Sequence, residues 1–143
     1  SVIGDEPREK LIFKHKNLNL LGFKDHKFTL KELSNSSICV VCSRYEEPFG
    51  RIALEASSRG CAVIITNKGG LTEAATNPLV INKLNEKTLY NAIDKLISNT
   101  NLRKKLQKKS LKNFYLTHEF ISKKVDKYRE DIFKSWFYLK HYS

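Results

Sequence analysis

The chain has 143 residues, of which 41% are hydrophobic and 29% charged, and it carries a formal net charge of +11. This length allows one domain with a real core, and six glycines with three prolines exclude a collagen-like or linker-like chain. No apolar run approaches the roughly 18 residues of a membrane-spanning helix, and residues 1–6 lack the basic start and apolar stretch of a signal peptide.

Short apolar runs alternate with helical patterns over the first 81 residues. Strands are predicted at residues 2–3, 18–23, 38–43, 62–65 and 79–81. Helices are predicted from Asp5, over 30–33, over 48–59 with Gly60 closing the helix, and from Gly69-Gly70 through Ala74. Proline in a first turn and glycine after a last turn are ordinary helix boundaries.

After residue 82 the pattern becomes helical. One apolar stripe consists of Leu89, Ile93, Leu96 and Ile97, a second of Leu102, Leu106 and Leu111, and a third runs from Phe120 to Phe137. Short apolar strands that alternate with helices predict an α/β fold with a Rossmann-like parallel sheet flanked by helices, followed by extra carboxyl-terminal helices. A self-sufficient domain of this kind normally has an earlier strand and helix, so we expect the chain to be a fragment.

Three cysteines, Cys39, Cys42 and Cys61, cannot all pair, which favours reduced thiols in a cytoplasmic protein. Cys39 and Cys42 have the spacing of a redox or zinc motif, but both lie in the predicted strand 38–43. Residues three apart on a strand point to opposite faces, and no second Cys/His pair completes a zinc site. We therefore predict small buried side chains and no bound metal.

Two predicted strands end in glycine-containing loops that lead into helices, at residues 43–50 and 66–70. Ligands of open α/β sheets bind beyond the carboxyl ends of the strands. A helix amino terminus there offers free N–H groups and the positive end of the dipole to a phosphate. Both loops are therefore candidate phosphate sites.

Two glutamates flank the first of these sites. Glu47 precedes the predicted helix, and Glu55 follows eight positions later, near the same face and about 12 Å along the axis at 1.5 Å per residue. Carboxylates accept hydrogen bonds from the vicinal hydroxyls of a ribose or a hexose. The spacing alone does not distinguish such a site from a solvated helix face.

Residues 43–60, SRYEEPFGRIALEASSRG, closely resemble the E-x7-E signature of family-4 retaining glycosyltransferases of GT-B fold. The following AVIITNKGGLTEAA resembles the next strand and Gly-Gly-x-x-Glu turn of that family. Upstream VIGDEPRE, NLLGF and LKELSNSSICVVCS and downstream ATNPLVIN occur in the family's order. The resemblance covers residues 1 to about 115, and it implies one half of a GT-B enzyme that works in polysaccharide or lipopolysaccharide biosynthesis.

The resemblance implies a role for each matching residue. Glu47 would contact donor-sugar hydroxyls as the catalytic-site glutamate, and Phe49, Gly50 and Arg51 would offer backbone N–H groups to the sugar and diphosphate. Glu55 would bind the ribose hydroxyls of a nucleotide-diphosphate sugar. No cofactor or metal is expected, because such enzymes stabilise the leaving diphosphate with protein cations.

The resemblance implies less about other segments. Gly69 and Gly70 would line the same cleft, and the base would lie near residues 22–24. It divides the chain into a donor-binding domain at 1–115, without its first strand-helix unit, and a helical extension at 116–143. The cations that normally bind the diphosphate and the acceptor-binding domain would precede residue 1, so we expect the isolated chain to be inactive.

The basic segment 103–112 allows alternative functions. Residues 99–143 contain 12 Lys or Arg but only 4 Asp or Glu, and such a surface attracts polyanions. A solvated helix face is the simplest interpretation, and contact with an anionic membrane that carries a lipid-linked glycan acceptor is the next. A non-catalytic polyanion- or membrane-binding module is the alternative function. Nucleic acid is not expected as a partner, because no recognition motif is present.

Overall fold

The computed structural model of the chain describes residues 1–4 and 13–142. The helix predicted to begin at Asp5 lies outside the described residues. The remaining predicted elements are all present, with shifted ends in several cases.

In the described part of the chain, five short strands pair in parallel and form two sheets. β1 (Val2–Ile3) pairs with β2 (Leu20–Gly22). Separately, β3 (Ile38–Val41), β4 (Ala62–Thr66) and β5 (Leu79–Ile81) form a sheet in the order β3-β4-β5. The predicted α/β class is confirmed, but the single expected sheet is divided, because among the described strands β3 pairs only with β4.

β4 is the centre of the molecule, and all five of its residues are buried. Its alternate side chains enter two cores, since successive strand residues point to opposite faces. Val63 and Ile65 belong to the core under the first helices, and Ala62 and Ile64 to the core under the later ones. Burial on both faces is typical of parallel sheets covered by helices.

Six helices surround these strands within the described residues. They are α1 (His26–Asn35), α2 (Arg51–Ser58), α3 (Leu71–Ala74), α4 (Glu86–Ser98), α5 (Thr100–Lys112) and α6 (His118–Tyr142). The first three contribute to the core with Val63 and Ile65, and α4 and α5 contribute to the core with Ala62 and Ile64.

Helix α1 is longer than the predicted 30–33. It starts at His26 because the Asp25 carboxylate accepts a hydrogen bond from the Phe28 N–H at 2.7 Å. A side-chain oxygen at this position satisfies one of the free N–H groups of the first turn. The cap brings His26 to the very start of the helix.

Helix α2 begins at Arg51, three residues later than predicted from Pro48. Gly50 precedes it with φ +89°, in the left-handed region that breaks the helical path. Glu55 is therefore four positions from the first helical residue. The axial distance of about 12 Å between Glu47 and Glu55 assumed a helix that begins at Pro48, and it does not apply because the residues between Glu47 and Arg51 are not helical. The predicted end is confirmed, since Gly60 follows with φ +76°.

The C-x-x-C pair is separated as its strand spacing predicts. Cys39 packs against the core that contains Val63, and Cys42 packs against the core that contains Ile64. Burial raises the pKa of Cys39 to about 12 and of Cys61 to about 11. Such thiols are poor nucleophiles and poor metal ligands.

Helix α6 is 25 residues long and carries an exposed apolar stripe. The stripe consists of Ile121, Val125, Tyr128, Ile132 and Trp136. No helix in the described residues is long and apolar enough to cross a membrane. The predicted domain division at 115/116 falls in the segment between α5 and α6 and stays a prediction.

Candidate functional site

The loop between β3 and α2 is anchored to the adjoining end of β4. The Ser43 N–H donates to Thr66 Oγ1 at 2.9 Å, and that hydroxyl donates to the Ser43 carbonyl at 3.0 Å. Ser43 and Thr66 are both buried. This reciprocal pair fixes the point at which the chain leaves β3.

Glu46 holds the outer part of this loop. Its carboxylate accepts from Lys68 Nζ at 2.9 Å and from the Gly69 N–H at 2.6 Å. These two hydrogen bonds lower the pKa of Glu46 below its ordinary value. Glu46 therefore stabilises the loop, whereas the carboxylate of the neighbouring Glu47 is not used in these hydrogen bonds.

Gly69 and Gly70 pack against the backbone of the loop between β3 and α2. The Gly70 N–H donates to the Glu47 carbonyl at 2.7 Å. A Cβ on Gly69 would overlap the Glu47 carbonyl oxygen, and one on Gly70 would lie 2.6 Å from the Pro48 carbonyl oxygen. The two glycines thus allow backbone to pack on backbone. They lie against the loop and do not line the open cleft beside the start of α2.

Of the two predicted phosphate sites, the one at the start of α2 is better suited to bind an anion than the one at the start of α3. Within the described residues no side chain caps this helix, so its first N–H groups keep their donor capacity for a ligand. Helix α3, which follows the second loop, has only four residues. A single turn sums few peptide dipoles, so the site at α2 has the stronger field.

An open cleft of about 1430 Å3 lies beside this helix start. It brings together the predicted residues Glu47, Gly50 and Arg51 and adds Arg44 and Lys87. Phe49 does not line this cleft, and its side chain is 45% exposed. The cleft therefore contains two carboxylates, since Glu86 also lines it, together with three cationic side chains and the helix start.

Glu55 does not line this cleft, although Arg51, which does, lies close to it. Its side chain is only 12% exposed and lies between α2 and the start of α1, where Oε1 is 3.0 Å from His26 Nε2. Arg51 Nε lies 3.8 Å from the same oxygen. The other oxygen, Oε2, is buried and has no hydrogen-bond partner among the described residues.

His26 is the residue that sequence reasoning missed. It is exposed, as predicted for all four histidines, but it also contacts a predicted ligand-binding glutamate. The two residues are 29 positions apart, so no local spacing connects them. The one usable signal was the helix cap at Asp25, which places His26 in the first turn of α1.

The predicted base segment, residues 22–24, lies directly before this start of α1. Phe23 is 84% exposed, and Lys24 Nζ lies 5.3 Å from the centre of the Phe28 ring. An exposed aromatic ring two positions before Asp25 is available for stacking on a base. Among the described residues no group of three or more His, Cys, Asp or Glu side chains could hold a metal ion.

Comparison with known proteins gives a family match over most of the chain. A model of the family described as "Glycosyl transferases group 1" matches residues 2–113. An uncharacterized glycosyltransferase of Methanocaldococcus jannaschii is 31% identical over 111 residues, or 76% of this chain and 26% of that protein. Glycogen synthase of Mycobacterium tuberculosis is 42% identical over 57 residues, or 40% of this chain and 14% of that enzyme.

A solved structure supports the fold. Anabaena HepE in complex with UDP-glucose superposes with a TM-score of 0.58 at 23% identity, over 64% of this chain and 25% of that one. The chain therefore spans about a quarter of the length of the relative from Methanocaldococcus jannaschii and of HepE.

Proposed function

Because the chain belongs to the group 1 glycosyl transferases, we propose that it forms the donor-binding half of a longer enzyme that carries out retaining transfer from a nucleotide-diphosphate sugar. The observation that carries the proposal is the uncapped start of α2, with Glu47 in the preceding loop and Glu55 on the helix itself. The family match disfavours a non-catalytic binding module.

In this proposal the diphosphate lies at the start of α2. Its oxygens accept hydrogen bonds from the backbone N–H groups of Phe49, Gly50 and Arg51, and the Glu47 carboxylate accepts hydrogen bonds from hydroxyls of the donor sugar. Arg44 lines the cleft and supplies a positive charge, whereas Lys68 is already paired with Glu46. Negative charge builds on the departing diphosphate, so donors fixed in advance lower the barrier to transfer.

The nucleoside would extend towards α1. Glu55 has one oxygen without a partner for a ribose hydroxyl, and the exposed Phe23 ring would stack on the base. Since HepE holds UDP-glucose, we choose uridine nucleotides as the first probes. We propose no metal or other cofactor, and we propose that the acceptor is a sugar or lipid-linked glycan bound by another part of the longer enzyme.

Titration of the full chain with UDP-glucose, GDP-mannose and ADP-glucose at millimolar concentration tests donor binding. One of the three should shift the backbone amide NMR resonances of residues 49–55. Glu47→Gln and Glu55→Gln should each weaken binding about fivefold to tenfold, because each removes a charged acceptor for sugar hydroxyls.

Glu73→Gln is the matched control, since Glu73 lies in the first turn of α3 and outside the cleft lining. It should bind the donor like the wild type. If none of the three nucleotide sugars shifts residues 49–55 while the chain is folded, donor binding at α2 is refuted.

Contact with an anionic membrane is a second property that one observation favours. Helix α5 carries five exposed lysines and no acidic residue, namely Lys104, Lys105, Lys108, Lys109 and Lys112. At 100° per residue these side chains fall within one arc of the helix surface. Anionic lipid headgroups attract such a cluster of lysines through their negative surface potential, without specific geometric contacts. We therefore propose peripheral binding at the cytoplasmic membrane face.

Sedimentation with vesicles of 30% phosphatidylserine in phosphatidylcholine tests this contact. Changing Lys104, Lys108 and Lys112 together to Gln should reduce binding in 50 mM salt at least tenfold, whereas Lys16, Lys31 and Lys83 changed together should have a smaller effect. Equal effects of the two triple variants would show that only the net charge matters.

A further inference from the structure

The two oxygens of the Glu55 carboxylate differ in their surroundings. An ionised carboxylate can only accept hydrogen bonds, so His26 must donate from Nε2 to Oε1 across the 3.0 Å contact. Oε2 is buried and accepts nothing from the described residues. The carboxylate is thus held by one oxygen and unsatisfied at the other.

An unsatisfied buried oxygen is unfavourable unless something outside the protein completes it. The side chains that cover Oε1 are on the solvent side, with His26 66% and Arg51 82% exposed. Oε2 itself is buried in this conformation, so a ligand that arrives from the solvent side has to shift the side chains around Glu55 to reach it. Its hydroxyl would supply the missing hydrogen bond to Oε2.

We propose that His26 is a positioning residue for the donor, whose hydrogen bond to Oε1 holds the Glu55 carboxylate so that Oε2 accepts a ribose hydroxyl. This inference rests on the proposed function, because it requires the nucleoside to lie at Glu55.

The position of the imidazole is well suited to this role. His26 is the first residue of α1, and the Asp25 cap fixes that end of the helix. A histidine ring has only two side-chain torsions, so it orients a partner at a lower entropic cost than a lysine or arginine. An ordinary exposed ion pair would contribute little and would not affect the choice of ligand.

The test compares the binding of UDP and 2′-deoxy-UDP to the full chain by calorimetry. In the wild type, UDP should bind about tenfold more tightly, because the deoxy compound leaves a charged acceptor without its hydroxyl. His26→Gln keeps an N–H donor in reach of Oε1 and should preserve this ratio within about twofold. His26→Phe keeps a ring but removes the donor, and the ratio should fall to about two through weaker UDP binding alone.

His26→Asn gives an independent check, because its amide is too short to reach the position of Nε2. It should also lower the ratio. Thermal unfolding of each variant should remain cooperative, so that a change in the ratio reports on binding by the folded protein.

The possible failures are distinguishable. If the folded wild type binds no UDP, the proposed function fails for uridine nucleotides together with the role of His26. If the wild type discriminates and His26→Phe retains its ratio, only the role of His26 is overturned. If His26→Phe weakens the binding of UDP and of 2′-deoxy-UDP equally, the effect is a general structural one and the role of His26 is overturned. If His26→Phe binds UDP more tightly, His26 competes with the ligand for Glu55, which overturns the role as well.

Discussion

Replacing Gly69 with alanine should lower the free energy of unfolding by more than the cost of a left-handed backbone conformation at a non-glycine residue. Gly69 has φ +48°, and an alanine Cβ would overlap the Glu47 carbonyl oxygen and lie 2.7 Å from the Glu47 nitrogen. The left-handed conformation costs about 1–2 kcal/mol for a non-glycine residue. The overlap is with backbone, which cannot rotate away, and adds about 1–3 kcal/mol, as overpacking generally does.

Gly22→Ala separates these two contributions. Gly22 has a similar φ of +64°, but a Cβ there would meet nothing within 4 Å, so only the conformational cost applies. Urea unfolding followed by circular dichroism should therefore give a midpoint about 1 M lower for Gly69→Ala than for Gly22→Ala, given m of about 1–3 kcal/mol/M. Equal midpoints would refute the conclusion that Gly69 is required by the close approach of the Glu47 backbone.

Three further predictions concern groups away from the cleft. Ser110→Ala should lower the free energy of unfolding by about 1–2 kcal/mol, because the buried hydroxyl donates to the Thr76 carbonyl at 2.8 Å and no other donor replaces it. Lys68→Ala should raise the pKa of Glu46 towards its ordinary value, since the Lys68 hydrogen bond is the largest cause of the lowered pKa. Carboxyl NMR titration measures this shift. Cys39, with its pKa of about 12, should resist iodoacetamide at pH 8 until the protein is unfolded.

Each of these three predictions has a control or an outcome that would contradict it. Ser135→Ala removes a similar helix hydroxyl bond in an exposed position and should change the stability little. Because the folded pKa of Glu46 is lowered, its contribution to stability should be present above the unfolded pKa and be lost as the pH falls through the folded value. Rapid alkylation of Cys39 in the native protein would contradict its burial.

The fold follows from the sequence wherever burial determines the pattern. Five successive buried residues in β4 leave little choice but a central parallel strand. The start of α2 was predicted wrongly, because a proline at residue 48 is typical of a first helical turn. The left-handed Gly50 instead delays the helix, and the close approach of Leu71, whose Cδ2 would lie 2.5 Å from a Cβ at this position, cannot be read from the local sequence.

The site was predictable in part. Glu47, Gly50 and Arg51 share one cleft because the loop and helix that carry them are contiguous. Two identical residues, Glu46 and Glu47, cannot be assigned different tasks from the sequence, since the distinction depends on Lys68 and the Gly69 N–H across the loop.

The open side of β3 affects how the isolated chain behaves at high concentration. The Ser37 carbonyl accepts from the Ala62 N–H, so by alternation the amide groups of Cys39 and Val41 face β4, and those of Val40 face away from it. The strand ICVV carries no charged residue, and in the described residues no other strand pairs with this side. Native sheets usually protect such edges with lysine, proline or a covering segment. An edge of this kind can act as a template on which a further strand adds, so we expect self-association to increase with protein concentration.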